Sequence, residues 1–566
     1  MEMEKKNIAI IVLAAILVVS GIGNILLALP GVQITASTGK TLIVGTGSGP
    51  VDLDPLHAWD SASNDVIRQC VEGLYMIDYE DPDLARKPVL AMDEGTLDPN
   101  GTYWEVDLRQ GVVFHDDSKF NATAVKWNFD RLNYHLNATG SNPNNGTESH
   151  TAVLYMLDST TPIINRTVII SEYKVGVHLN GIFSAFLDTL AYVSAWMLSP
   201  SSTNFGQHLD TATDVLVGTG PYKYQHYIAD TEVRWTNWNR YWKTGAYFDT
   251  LVFSVIEDES ARNQAMLAGN IDILLGETEA LLPTFRADAD ITVEDTGAGF
   301  SYYYLGMNNR LINATFRKAI SYAFNYTYMI EELLEGQAER AYSPLCPAWP
   351  QLAGWNQSIQ LSTPTYDLNA SRKVLVDAGI STLDPDRDKG WLEAEYAVWN
   401  YSYNTDNQFR SDLYPMLRDN LDKIGITVTD EGMTWEDYIY RAYGITPGGY
   451  DLLQLYWVGW GPDYMFPWNM LDPLYNPDST SNSAQVDDAL LSFLMKAAIE
   501  ETNSDNQTWI FKQILGNLTG RIYPHVFGFH PLITEVYSAD LRGYAGNAVN
   551  DFWAYPIWRD EGYAQA

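Results

Sequence analysis

The stretch YWVGWGPDYMFPW, Tyr456 to Trp468, holds six aromatic residues and one charge, Asp463. Aromatic side chains cluster in cores, but a core does not want a lone carboxylate. An unpaired buried carboxylate costs several kcal/mol, roughly, and tends to take up a proton instead. Asp463 therefore needs a partner, either another side chain such as a nearby arginine or a group that arrives from outside. A carboxylate ringed by π-faces has the chemistry of a cation receptor, with charge pairing at its centre and ring faces around it.

A second acidic pattern is DPDRDKGWLEAE. Asp384, Asp386 and Asp388 occupy alternate positions and Glu395 stands twelfth. Calcium loops use this oxygen spacing, although here Lys389 fills the sixth place, where glycine is wanted, and Gly390 comes one later. The pattern is read as a candidate calcium site, with a solvated acidic turn as the alternative. Catalytic motifs are missing: the chain has no GxSxG, Walker loop, HExxH or CxxC. His115, in FHDD, reads as a turn residue bonded to backbone. Cys70 and Cys346 read as separate buried thiols.

The elements that must position these residues follow an α/β order. TLIVGTGSGP is a strand running into a glycine turn. Gly45, Gly47 and Gly49 suggest a phosphate loop, but PVDLDP follows them where a helix would be required. SNDVIRQCVEGLY (Ser63–Tyr75) is a short helix. Trp104, Val106 and Leu108 alternate as a half-buried strand, Gly111 turns it, and Asn121 caps the next helix. FDTLVFSVIED, ESARNQAMLAGN and IDIL read as strand, helix and strand. This order indicates sheets covered by helices.

The totals bound the class. With 35 Lys+Arg against 71 Asp+Glu, the net charge is −36, which argues against nucleic acid as a partner. Ile8 to Leu29 is a 22-residue run without charge, long enough to span a bilayer. Lys5 and Lys6 place its N-terminal side in the cytoplasm and the rest of the chain outside. The run is read as an uncleaved anchor, with cleavage near Thr35–Ser37 as the alternative. Among the Asn-x-Ser/Thr sequons, Asn137, Asn145, Asn165, Asn356, Asn369, Asn400 and Asn506 are candidate glycosylation sites on an exterior face. A glycan on Asn121 would compete with capping.

One segment carries a family pattern. WEVDLRQGVVFHDDSKFNATAVKWNFDRL resembles the signature block of the oligopeptide/dipeptide-type (family 5) extracellular solute-binding proteins of ABC transporters. It departs at Asp117, in the place of a turn glycine, and at Ala124, in the place of a helix aspartate. LDPLHAWDSASNDVIRQCVEGLY, GTGPYKYQHY with NRYWK, SVIEDESARNQAMLAGNIDIL, YYYLGMNNRLINATFRKAISYAFNYTYMIEELLEG and YDLLQLYWVGWGPDYMFPWNML continue the resemblance in order. With the anchor and the sequons, the chain resembles an archaeal-like, membrane-anchored glycoprotein form of that family.

The resemblance implies an α/β, two-lobed periplasmic-binding-protein-like clamp, type II and of the large kind with an extra domain, preceded by one transmembrane helix. The implied division is 1–39 for anchor and tether and 40–75, 200–295 and 527–566 for lobe one. It gives 76–199 to the extra domain and 296–526 to lobe two. GWGPDY matches the place where peptide-binding members carry Trp-x-x-Asp-Tyr, whose aspartate meets the peptide α-amino group. The implied ligand residues are Asp463, Trp460, Gly459, Gly461, Tyr464 and Trp457, with Asp60 and Ser61 approaching from the loop AWDSAS. Trp457 stands where some members carry an arginine for the peptide carboxylate. The implied function is capture of di- or oligopeptides in the interlobe cleft and delivery to ABC permease subunits, with no catalysis and no required cofactor beyond candidate Ca2+. An oligosaccharide receptor of the same class and a structural cell-surface glycoprotein are the alternatives.

Overall fold

The computed structural model describes residues 40–136, 151–158, 160–276, 281–349, 359, 362–446 and 448–560. The chain divides into two units, Met1–Ala36 and Ser37–Ala566, and every described element belongs to the second. The apolar run Ile8–Leu29 lies outside the described residues. Among those described, no helix is long and apolar enough to cross a membrane.

A 12-stranded mixed sheet runs through the second unit. The strand Thr41–Thr46 pairs in parallel with Thr250–Val255 and with Ile273–Leu274. Its sequence is a near-continuous apolar run because both faces are covered: Leu42 and Val44 enter one core, Ile43 another. The helix Glu259–Leu267 between its two partners starts on Asp258, whose carboxylate accepts the Ala261 N–H at 2.7 Å. At the other end of the sheet, Ala397–Asn404 runs parallel to both Ile426–Met433 and Leu455–Trp460.

The long strand His525–Ser538 joins the two halves. Residues 525–529 pair with the strand Tyr302–Met307, and residues 532–538 pair with Ile291–Ala298. The chain thus crosses between halves at 298–302 and again at 529–532. His530 Nδ1 lies 2.9 Å from the Ser301 carbonyl, tying the two crossings together. The switch of strand partner falls within this strand at about residue 530.

Period-two alternation distributes the side chains of the second half. Tyr302 and Tyr304 enter the large core, while Leu305 and Met307 enter a second one. Helices Trp468–Tyr475, Ala489–Glu500 and Ser504–Asn517 also bury their apolar sides in the large core, together with residues of lobe one and of the region 76–199. Gln507 Nε2 donates to Ser184 Oγ at 2.8 Å across that seam. These helices, in the stretch 468–517, thus pack against residues of the stretches 40–75 and 76–199. The region 76–199 carries its own four-stranded antiparallel sheet, with strands Thr96–Leu97, Tyr103–Asp107, Lys174–Leu179 and Ile164–Ser171.

Local readings resolve in detail. Trp104 and Val106 are buried on the strand Tyr103–Asp107. The predicted helix Ser63–Tyr75 is shifted to Ser61–Arg68. Asn121 caps its helix, its Oδ1 accepting from Thr123 and Ala124 N–H. Asp117 has φ 68°, the left-handed turn conformation that aspartate tolerates better than most residues, so the turn survives without its glycine. His115 is buried and its Nε2 donates to the Gly220 carbonyl at 2.9 Å. Burial lowers its pKa to about 4. Cys70 and Cys346 are both free and buried.

Candidate functional site

Parallel strands of α/β sheets present ligands at their carboxyl ends. Here three such ends are aligned. Asn404 pairs with Met433, and the strand Leu455–Trp460 ends beside them. Asp463 follows directly after this last strand.

The Asp463 carboxylate is held by neutral donors. Asn469 Nδ2 donates to Oδ2 at 3.0 Å, and the Trp59 indole Nε1 donates to Oδ1 at 2.8 Å. Asn469, buried in the helix Trp468–Tyr475, also accepts the Asp463 backbone N–H on its Oδ1 at 2.6 Å. Among the described residues no lysine, arginine or histidine lies within ion-pair distance of Asp463. The surrounding groups include the tyrosines Tyr155, Tyr192 and Tyr464, whose hydroxyls feel the Asp463 charge. Burial raises the carboxyl to about 6, and the bonds from Asn469 and Trp59 offset only part of that effect. An internal salt bridge with arginine is not what holds this carboxylate.

The other residues implied by the resemblance fall into three groups. Trp460 is half-buried against the large core, and its Nε1 is buried without a hydrogen-bond partner among the described residues. Tyr464 is buried beside Asp463 and Gly461 is exposed. Trp457 is not a cleft residue. It lies three positions before Trp460 on the same strand, so it points to the opposite face, where it is buried and stacked between Phe324 and Phe529. Gly459 serves packing: a Cβ there would meet the Tyr303 ring at 2.5 Å. Asp60 is the N-cap of the helix Ser61–Arg68, its Oδ1 accepting the Ser63 N–H at 2.8 Å. Ser61 is exposed on the first turn. The member of that loop that reaches Asp463 is Trp59.

Sequence reading also missed Arg410. It stands in the first turn of the helix Gln408–Asp422, just past the carboxyl end of Ala397–Asn404. Its guanidinium is buried and lies 5.3 Å from the Trp435 ring centre and 5.4 Å from that of Tyr438. It donates to Asn404 Oδ1, and no carboxylate among the described residues pairs with it. The same sheet edge thus carries a carboxylate without a cation and a guanidinium without an anion. A separate cavity of about 350 Å³ is lined by Glu339, Arg340, Tyr342, Ser343, Leu345 and Pro347, none of them among these residues.

The residues of the candidate calcium stretch have other partners. Asp388 pairs with Arg372 at 2.8 Å, Asp384 with Arg387 at 3.3 Å, and Glu395 accepts from Thr427 Oγ1 at 3.2 Å. Among the described residues no three His, Cys, Asp or Glu side chains converge as a metal site. Of the glycosylation candidates, Asn165, Asn369 and Asn506 are exposed, while Asn137, Asn145 and Asn356 lie outside the described residues. Asn400 is tied into the sheet, its Nδ2 donating to Glu431 and to the Leu452 carbonyl, so the atom that would carry a glycan is engaged.

Residues 82–482 match the family model of bacterial extracellular solute-binding proteins, family 5 (Middle). The chain belongs to this family, whose members are extracellular or periplasmic transport binding proteins and not enzymes. It is 28% identical over 351 residues to the glutathione-binding protein GsiB of Pectobacterium atrosepticum, covering 60% of this chain and 61% of that one. It is 25% identical over 498 residues to di/tripeptide-binding protein 3 of Pseudomonas aeruginosa, covering 84% and 85%. It is 23% identical over 524 residues to heme-binding protein A of Haemophilus influenzae, covering 88% and 90%. The fold is that of the Helicobacter pylori periplasmic binding protein DppA in complex with the peptide STSA, with TM-score 0.71, 22% identity and coverage of 92% and 98%.

Proposed function

We propose that this solute-binding protein captures short peptides between its lobes and delivers them to an ABC permease on the outer side of the cytoplasmic membrane. The observation that carries the reading is Asp463: a carboxylate raised to about 6, with neutral donors and no cation. A peptide α-ammonium supplies the missing charge. Arg410 takes the α-carboxylate of the same ligand, and the unpartnered Trp460 N–H donates to a ligand carbonyl. Relatives named for glutathione and for di/tripeptides support a ligand of this size and charge. Aromatic walls without a charge requirement would instead suit an oligosaccharide, and the unpaired charges argue against that alternative.

Native mass spectrometry of purified protein tests the reading. The expected result is a co-purified mass matching peptides; a carbohydrate mass would replace the peptide by the oligosaccharide. The Ile8–Leu29 run serves as the membrane tether in this account, with the exposed sequons Asn165, Asn369 and Asn506 on the glycosylated exterior. Protease added to intact cells should digest the folded chain.

A further inference from the structure

We infer that Trp59 is a latch that holds the two lobes together through the ligand-receiving carboxylate. Trp59 belongs to lobe one, in the turn before the helix Ser61–Arg68, and Asp463 follows a strand of lobe two, 404 residues away in sequence. Their hydrogen bond at 2.8 Å ties together the halves on either side of the crossings at 298–302 and 529–532. The indole Nε1–H is a donor only, so it favours the ionised carboxylate.

The turn that carries Trp59 is fixed on both sides. Before it, the Ala58 N–H donates to the Asp54 carbonyl at 2.8 Å and His57 pairs with Asp52. After it, Asp60 caps the helix, and Ser63 Oγ accepts the N–H groups of Val51 and Asp52 at 2.9 and 3.0 Å. The indole is thus presented from a built turn, while its own surface is 37% exposed. It can leave Asp463 without opening a core.

The carboxylate has room for both roles. Oδ1 accepts from Trp59 and Oδ2 from Asn469, and each oxygen has a second acceptor site. An arriving ammonium adds to the carboxylate without displacing the indole. It also keeps Asp463 ionised, and a hydrogen bond to an ionised acceptor is about twice as strong as one to a neutral group. Ligand capture and lobe closure then act through the same two oxygens. This ligand-dependent half rests on the peptide reading above; the latch in the empty protein stands without it.

Pulsed dipolar spectroscopy on the full chain tests the latch. Spin labels at Glu257→Cys and Asp419→Cys, both exposed, report the distance between lobes, while the native thiols are buried. The empty protein at neutral pH should show a closed population. Trp59→Phe, which keeps a ring and removes the donor, should lower the closed-to-open ratio about tenfold. Asp463→Asn should shift it in the same direction. A fully open empty wild type, or a Trp59→Phe distribution that is unchanged or more closed, would overturn the latch. Calorimetric titration with trialanine reads the peptide assignment separately, so a failure there leaves the distance result standing.

Discussion

Asp463 and Asn469 bind each other twice: the aspartate backbone N–H donates to the asparagine Oδ1 at 2.6 Å, and the asparagine Nδ2 donates back to the aspartate Oδ2 at 3.0 Å. The pair fixes the turn between a sheet strand and a helix and aims the carboxylate. Asn469→Leu should remove both bonds. The carboxyl pKa should rise further above about 6, and peptide affinity at neutral pH should fall about tenfold. Calorimetry on the variant checks this; unchanged affinity would mean that Asn469 only packs.

Proton linkage gives a second test. The folded pKa of Asp463 lies above its ordinary value, so the folded protein holds this proton more tightly than the unfolded chain does. The stabilisation is present at low pH and is lost as pH rises from about 4 to about 6. Asp463→Asn should therefore gain Tm relative to wild type as pH goes from about 4 to about 6. Asp188 and Asp472 are also raised to about 6, and His57 is raised by Asp52, so only the difference between variant and wild type isolates Asp463. A Tm difference that is flat with pH would contradict the assignment.

Arg410 predicts the other end of the ligand. If its guanidinium receives the carboxylate, a C-terminally amidated peptide should bind wild type about tenfold to a hundredfold less tightly than the free acid. In Arg410→Gln the two should bind alike. Equal binding of acid and amide to wild type would leave Arg410 as packing between Trp435 and Tyr438.

Trp460 should act through area as well as charge-free hydrogen bonding. Trp460→Ala should weaken charged and capped peptides alike, by about 1–3 kcal/mol. Trp457→Ala should instead lower the melting temperature, because that ring fills a core between Phe324 and Phe529.

The sequence made part of this legible. The strands at Thr41–Thr46 and Thr250–Val255 and the helix Glu259–Leu267 are local patterns of burial and capping, and they stand where periodicity puts them. Asp463 was visible because one charge among six aromatics is a conflict at short range. Its donors were not: Trp59 is 404 residues away, and only the folded chain brings it near. Asp60, next to it, also carries a local signal: an aspartate three residues before Ser63 at a helix start is placed to cap, and it does. Trp457 and Trp460 are both implied by the resemblance, but a spacing of three on a strand sends them to opposite faces. Arg372, which pairs with Asp388, is remote in sequence from the alternating aspartates at 384–388, so that pairing is beyond the reach of the local pattern.

Whether Asp463 receives the ligand's ammonium group is read most directly by calorimetry of free and N-acetylated trialanine on wild type and Asp463→Asn. Acetylation removes the cation, and the substitution removes the anion while keeping the shape. Free peptide should lose about two decades of affinity on either change, corresponding to about 3 kcal/mol for breaking a desolvated pair. Acetylated peptide should lose little more in Asp463→Asn, because the interaction is already gone. If free and acetylated peptides bind wild type equally well, Asp463 is not the ammonium receptor and the peptide account of this site fails.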